Sequence, residues 1–171
     1  MRRALCLLAI TAGSLDAQVA GSGGAVAGTR DLWRMGHNYV LRTAEQLPES
    51  LYAFKPTPAV RSFAEQFGHV AGSEYMFCAV VLGEPNRAED AVERTATTKA
   101  ALVQALKDAG TYCDRAYGIT DAAAAATASL FGGSSTKLYL LTMNATHDWE
   151  HYGNLVTYLR LKGLTPPSSQ R

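Results

Sequence analysis

NATHDWEHYGNLVTYLRLKGLTPP, residues 144–167, carries two histidines, His147 and His151, four positions apart. At about 100° per residue they stand one turn apart on one face of a helix, a spacing with which helices grip a metal ion. Leu140, Asn144, Leu155 and Tyr158 continue that face, so the pair sits on a mostly apolar stripe turned inward. Buried imidazoles need partners, and one metal ion serves both. The helical pattern starts near Thr136, runs to Lys162 and is closed by Gly163, with Pro166 and Pro167 beyond. Two protease motifs share the histidine spacing. H-E-x-x-H fails at Asp148, one methylene short, while Glu150 satisfies H-x-x-E-H formally. Both proteases need a further ligand downstream, and no Asp, Glu or His follows His151. The protease reading is therefore set aside.

Three more helical patterns precede this one, and no alternating strand pattern competes with them. Trp33, His37, Val40, Ala44 and Leu47 recur at three- and four-residue steps between Thr29 and Leu47, where Pro48 ends the run. Phe63, Phe67, Val70, Phe77 and Val81 stripe a second helix from Ala59 to Leu82, opened by Pro58 and stopped by Gly83 and Pro85. Leu102, Leu106 and Ala109 mark a third from Thr95 to Tyr117. The alanine run Ala122–Ala126 allows a short extra helix, and FGGSS after it reads as a turn. Four long helices in a chain of 171 residues predict an all-α fold, a four-helix bundle. Residues 48–58 and 118–135 are long connections, the second long enough to cross the bundle.

The natural third ligand is His69, beside Val70 on the second stripe, in FGHVAGSEY. Gly68, Ala71 and Gly72 around it are small enough to leave a pocket. Three histidines from two helices leave a coordination position open, the mark of a catalytic rather than a structural site. Imidazole suits zinc, nickel and similar divalent ions without choosing among them. His37 lies on the core stripe of the first helix and is read as packed or lining the pocket. Glu74 follows His69 by five residues, about 140° round the helix, which makes it a poor direct ligand and a candidate behind the ligands. Asp148 is the favoured candidate for a role behind the ligands or as acid or base, and Asn144 and Tyr152 are candidates for the pocket wall; Tyr158 is assigned to the core.

Composition narrows the classes. Hydrophobic residues make up 47% and charged residues 18%, enough for a packed core. The formal charge of +1 and the absence of a basic run exclude a nucleic-acid footprint. No apolar run reaches the roughly 20 residues of a membrane span. The N-terminus, with Arg2 and Arg3 before the apolar run Ala4–Ala12, has the layout of a secretory signal, with residues 1–17 removed by cleavage after Ala17. An exported, periplasmic or extracellular protein is expected. Residues 18–28, rich in Gly and Ala, read as a flexible linker, residues 29–167 as the helical domain and residues 168–171 as a tail. Cys78 and Cys113 survive cleavage; two separate buried thiols are the favoured reading, a disulfide the alternative.

These residues together resemble the DinB/YfiT superfamily of metal-dependent enzymes. The resemblance rests on FGHVAGSEYMFCAVVLG with His69, on HDWEHYGNLVTYLRLKGLTPP with His147 and His151, and on the Leu-Arg, Lys-Gly-Leu, Pro-Pro ending. It covers the chain from Thr29 to Pro167, and the three histidines match the metal triad of the family. Asn154 departs from it, since Gln is common there. The resemblance implies an up-up-down-down bundle with a divalent ion, often nickel or zinc, at one end. It also implies an enzyme of uncertain chemistry, since some relatives are transferases or isomerases that use low-molecular-weight thiols. The family's name, from DNA-damage induction, implies no DNA binding. A metal-dependent hydrolase or transferase acting on a small-molecule substrate is the leading expectation. A thiol-dependent S-transferase or isomerase, and a non-catalytic metal-binding or structural bundle, are the alternatives; a homodimer is compatible with each.

Overall fold

Four long helices form where the apolar steps recur: α1 (Ala25–Gln46), α2 (Phe63–Leu82), α4 (Lys99–Ala116) and α6 (Lys137–Leu161). Between them lie the short helices α3 (Ala91–Thr95) and α5 (Asp121–Ala124) and a hairpin, β1 (Thr127–Leu130) and β2 (Gly133–Thr136). The structure, a computed structural model, describes residues 23–170, so the signal reading of residues 1–17 lies outside the described residues. Among the described residues no helix is long and apolar enough to cross a membrane.

Local chemistry explains the boundaries. Ser62 starts α2 through a reciprocal capping box: its hydroxyl accepts from the Glu65 amide at 3.3 Å, and its own amide donates to the Glu65 carboxylate at 2.6 Å. That cap places the helix start after Ser62 rather than at Ala59. Thr98, Thr120 and Thr136 cap α4, α5 and α6 in the same sense. α1 begins at Ala25, four residues inside the expected linker. Its cap is supplied from far away: the Asp121 carboxylate accepts from the amides of Ala25 at 3.0 Å and Val26 at 2.9 Å. A carboxylate there also meets the positive end of the helix dipole, and Val26 is buried behind it.

The helix directions follow from the two apolar cores. One gathers Val40, Phe67, Leu106 and Leu155, the other Trp33, Cys78, Cys113 and Leu141. α1 and α6 therefore run from the second core to the first, and α2 and α4 run from the first to the second. The expected up-up-down-down order does not hold; the order is up, down, down, up. The crossing connection is also a different one. Residues 83–98 carry the chain back along the length of α2, whereas α5 and the hairpin join α4 to α6 at one end. Phe131 and Gly132 turn the hairpin with φ of 54° and 77°, both positive as a tight two-residue turn requires. The strands lacked a sequence signal because Thr127–Leu130 and Gly133–Thr136 are only four residues each.

The returning crossover explains two glycines. A Cβ on Gly72 would collide with the Glu89 carbonyl oxygen, and one on Gly68 would meet the Glu93 Cα at 2.6 Å. These glycines let the 89–93 backbone lie against α2, and Gly72 also lines a small cavity of about 170 Å³ beside that crossover. Gly72→Val is expected to destabilise the fold by about 3 kcal/mol or more, since backbone must move to admit the side chain. Thermal unfolding measures this, and a wild-type melting temperature would refute it.

Because α2 and α4 run the same way, Cys78 and Cys113 come side by side with Cα atoms 5.3 Å apart and are joined as a disulfide. Separate thiols were expected, because spacing along the chain carries no information about helix alignment. The tail is also tied down: the Ser168 amide donates to the Tyr152 hydroxyl at 2.9 Å.

Candidate metal centre

α2 supplies His69 and α6 supplies His147 and His151, and the three rings converge through their Nε2 atoms. His147 Nε2 lies 3.2 Å from His69 Nε2 and 3.1 Å from His151 Nε2. His151 Nδ1 stands 2.5 Å from the Gln66 side-chain oxygen, so we place its proton on Nδ1, which leaves Nε2 a free lone pair. Gln66 is buried one turn before His69 on α2. Burial, followed by the neighbouring Arg61 and His147, lowers His69 to about 4. Burial, followed by His147 and His69, lowers His151 to about 3. His147 is lowered too, chiefly by burial. All three rings are thus neutral and ligand-ready at pH 7.

These residues fit a divalent ion. Ligand nitrogens about 2.0–2.1 Å from zinc lie roughly 3.0–3.4 Å from one another, the spacing that His147 Nε2 keeps to each of the other two; all three ligand atoms lie within 4.8 Å of one another. Three lone pairs aimed at one point repel unless a proton or cation lies between them, and an ion satisfies all three. The lowered pKa values set an acid limit. Because burial keeps His69 and His151 neutral well below pH 6.5 and lowers His147 in the same direction, loaded metal is expected to stay bound at pH 5.5 and to leave as pH falls toward 4. Metal content after dialysis at stepped pH measures this; release already at pH 6.5 would contradict it.

Two carboxylates approach the triad from the crossover. Glu89 Oε1 accepts from the Ser73 hydroxyl at 2.9 Å and lies 3.8 Å from His69 Nε2. Glu93 Oε2 lies 3.8 Å from His69 Nδ1 and its other oxygen accepts from Arg61 at 3.1 Å. Beside them opens a cleft of about 540 Å³, with Lys55, Arg61, Glu150, His151, Asn154 and Tyr158 in its wall. Both charge signs line it, and of the two crossover carboxylates only Glu89 stands beside the converging Nε2 atom of His69.

Sequence reasoning placed other residues there. Asp148 is fully buried and sits not with the triad but with Glu74 and His37, because one residue along a helix is a turn of about 100° away from His147. This corrects its assignment as the acid or base of the site. Burial, then the adjacent Glu74 charge, holds the Asp148 carboxyl well above the usual range. His37 Nδ1 donates to the Glu74 carboxylate Oε1 at 2.8 Å; burial alone would lower its pKa, but the Glu74 charge and hydrogen bond outweigh burial and raise it. Asn144 donates to the Tyr117 hydroxyl at 3.1 Å within the core, away from the cleft. Tyr152 stacks on Tyr39 and holds Ser168, whereas Tyr158, assigned to the core, also lines the cleft. Gln66, Glu89 and Glu93 were missed. The i−3 step from His69 was a usable signal for Gln66. The only signal for the two glutamates was the Gly68–Gly72 pair, which marks where a backbone lies close.

A family model of the DinB superfamily matches residues 32–155, a span that includes every triad histidine. The chain belongs to the DinB superfamily. Solved structures of similar fold include a mycothiol-dependent maleylpyruvate isomerase, at 15% identity and a TM-score of 0.66 over 76% of this chain. The match spans 60% of that isomerase. A DinB-like protein from Bacillus subtilis matches at 23% identity and a TM-score of 0.65, over 84% of this chain and 99% of its own. No curated protein matches the sequence. At these identities the solved structures speak for the fold of this DinB-superfamily chain.

Proposed function

We propose that this DinB-superfamily protein is a metal-dependent enzyme, a hydrolase or transferase for a small-molecule substrate, built on His69, His147 and His151. We read its four long helices as a four-helix bundle in up-down-down-up order, with the crossover at residues 83–98. The observation that carries the functional reading is the convergence of three neutral Nε2 atoms beside an open cleft. A bound zinc, nickel or similar ion would supply Lewis acidity there and acidify a bound water or thiol. The chain's own residues do the rest. Gln66 fixes the tautomer of His151, Ser73 orients Glu89, and Glu89 stands where it can take or return a proton at the substrate. Arg61, held by Glu93, presents a positive charge to the cleft.

The test loads purified protein with zinc or nickel and screens esters, amides and thiol adducts. Turnover by the loaded protein that disappears in His147→Ala supports the reading. Metal binding without turnover of any class favours a non-catalytic metal-binding bundle.

A second reading, thiol-dependent isomerisation or S-transfer, draws on the isomerase whose fold this chain shares. The disulfide weighs against it, since such bonds belong to oxidising compartments while small thiols are largely cytosolic. Export through the N-terminal signal agrees with the disulfide. Mass spectrometry of protein from the native cell should find an N-terminus near Gln18; intact Met1 on cytosolic protein would overturn export.

A further inference from the structure

Where the two apolar cores meet, α1, α2 and α6 each turn one polar side chain inward: His37, Glu74 and Asp148. Their ligating atoms all lie within 4.8 Å of one another. We infer that His37, Glu74 and Asp148 form a second divalent-metal site, separate from the three-histidine centre and made of two carboxylates and one imidazole.

The hydrogen-bond inventory supports this. Glu74 Oε1 is well supplied, with Trp33 Nε1 donating to it at 2.8 Å and His37 Nδ1 at the same distance. With both groups ionised, Glu74 Oε2 and both oxygens of Asp148 are buried and have no hydrogen-bond partner among the described residues; a proton on Asp148 would be shared with Glu74. The nearby donors are committed elsewhere: the Tyr117 hydroxyl donates to the Leu141 carbonyl, and the Asn144 amide donates to Tyr117. Unpaired carboxylate oxygens in a core are costly. A single shared proton answers for one donor–acceptor pair and leaves an oxygen of Asp148 without a partner. A divalent cation neutralises both carboxylates and draws on oxygens from each.

The donor set sets the chemistry. One nitrogen and carboxylate oxygens form a harder site than three imidazoles, suited to manganese or iron(II) as well as zinc. One ligand of the site, His37, borders a surface cleft. The His37 ring forms part of a cleft of about 430 Å³ between α1 and α4, whose wall includes Trp33, Lys107, Gly110 and Asp114. A Cβ on Gly110 would come within 2.6 Å of His37 Nε2, so glycine is what admits the ring at that position.

The experiment removes the triad and asks whether metal binding survives. The full chain carrying His69→Ala and His151→Ala is titrated with MnCl₂, with free Mn²⁺ followed by electron paramagnetic resonance and folding by circular dichroism. The expected result is one Mn²⁺ bound per chain, with a rise in melting temperature. Adding Asp148→Asn, nearly isosteric, or Glu74→Gln should then weaken binding at least tenfold. The folded double-histidine variant decides the matter by itself: if it binds no Mn²⁺, the second site does not exist. Retention of full binding after either carboxylate is replaced would equally overturn the assignment.

Discussion

His151→Ala is expected to empty the three-histidine centre and to abolish the thermal stabilisation that added zinc confers on the wild type. His151 contributes one of three converging nitrogens and is the ring that Gln66 holds in the ligating tautomer. Changes to residues that merely orient a ligand weaken metal binding about 10–100-fold, so loss of the ligand itself should exceed that. An ion at 100 times its dissociation constant stabilises by about 2.7 kcal/mol, or roughly 5–10 °C in Tm for a chain of this size. The variant should forfeit that gain. His147→Ala and His69→Ala should behave alike, because the proposed site has all three sharing one ion. Zinc content by elemental analysis, with unfolding scans with and without chelator, tests the set. If His69→Ala keeps full zinc occupancy while the other two lose it, His69 is not the third ligand, and Glu89 becomes the first candidate.

Removal of the disulfide should cost even more stability. Cys78 and Cys113 lie 35 residues apart in sequence, and closing a loop of that length stabilises the fold by about 4 kcal/mol in the chain-entropy treatment. For the double variant Cys78→Ala, Cys113→Ala, Tm is expected to fall by roughly 8–15 °C. Reduction of the wild type with dithiothreitol should reproduce the drop and leave the double variant unaffected. Equal melting temperatures for oxidised and reduced wild type would show that the cross-link contributes nothing. The measurement bears on compartment as well, because a fold that depends on this bond is suited to an oxidising environment.

The sequence by itself determined the helical class, the four long helices, the metal-ligand histidine set proposed here and the superfamily. Each of these rests on short-range regularities: the three- and four-residue apolar steps, the four-residue spacing of His147 and His151, and the glycines and prolines after the last helix. A helix turns such a spacing directly into a shared face, so no long-range information is needed. His69 was legible because it lies at the edge of the same kind of stripe.

Only the tertiary structure decided the helix order, the disulfide and the groups around the candidate metal centre. Residues 83–98, of which the sequence marks only the stop at Gly83 and Pro85 and a helix start expected at Thr95, run back along α2, bring Glu89 and Glu93 to His69 and align α2 with α4 so that Cys78 meets Cys113. Asp148, adjacent to a ligand in sequence, is turned away into a separate buried cluster with His37 and Glu74. The physical reason is common to all of these. Which face of one helix meets which face of another depends on chain direction and on where backbones can approach, and these follow from packing across the whole fold. No local spacing encodes them.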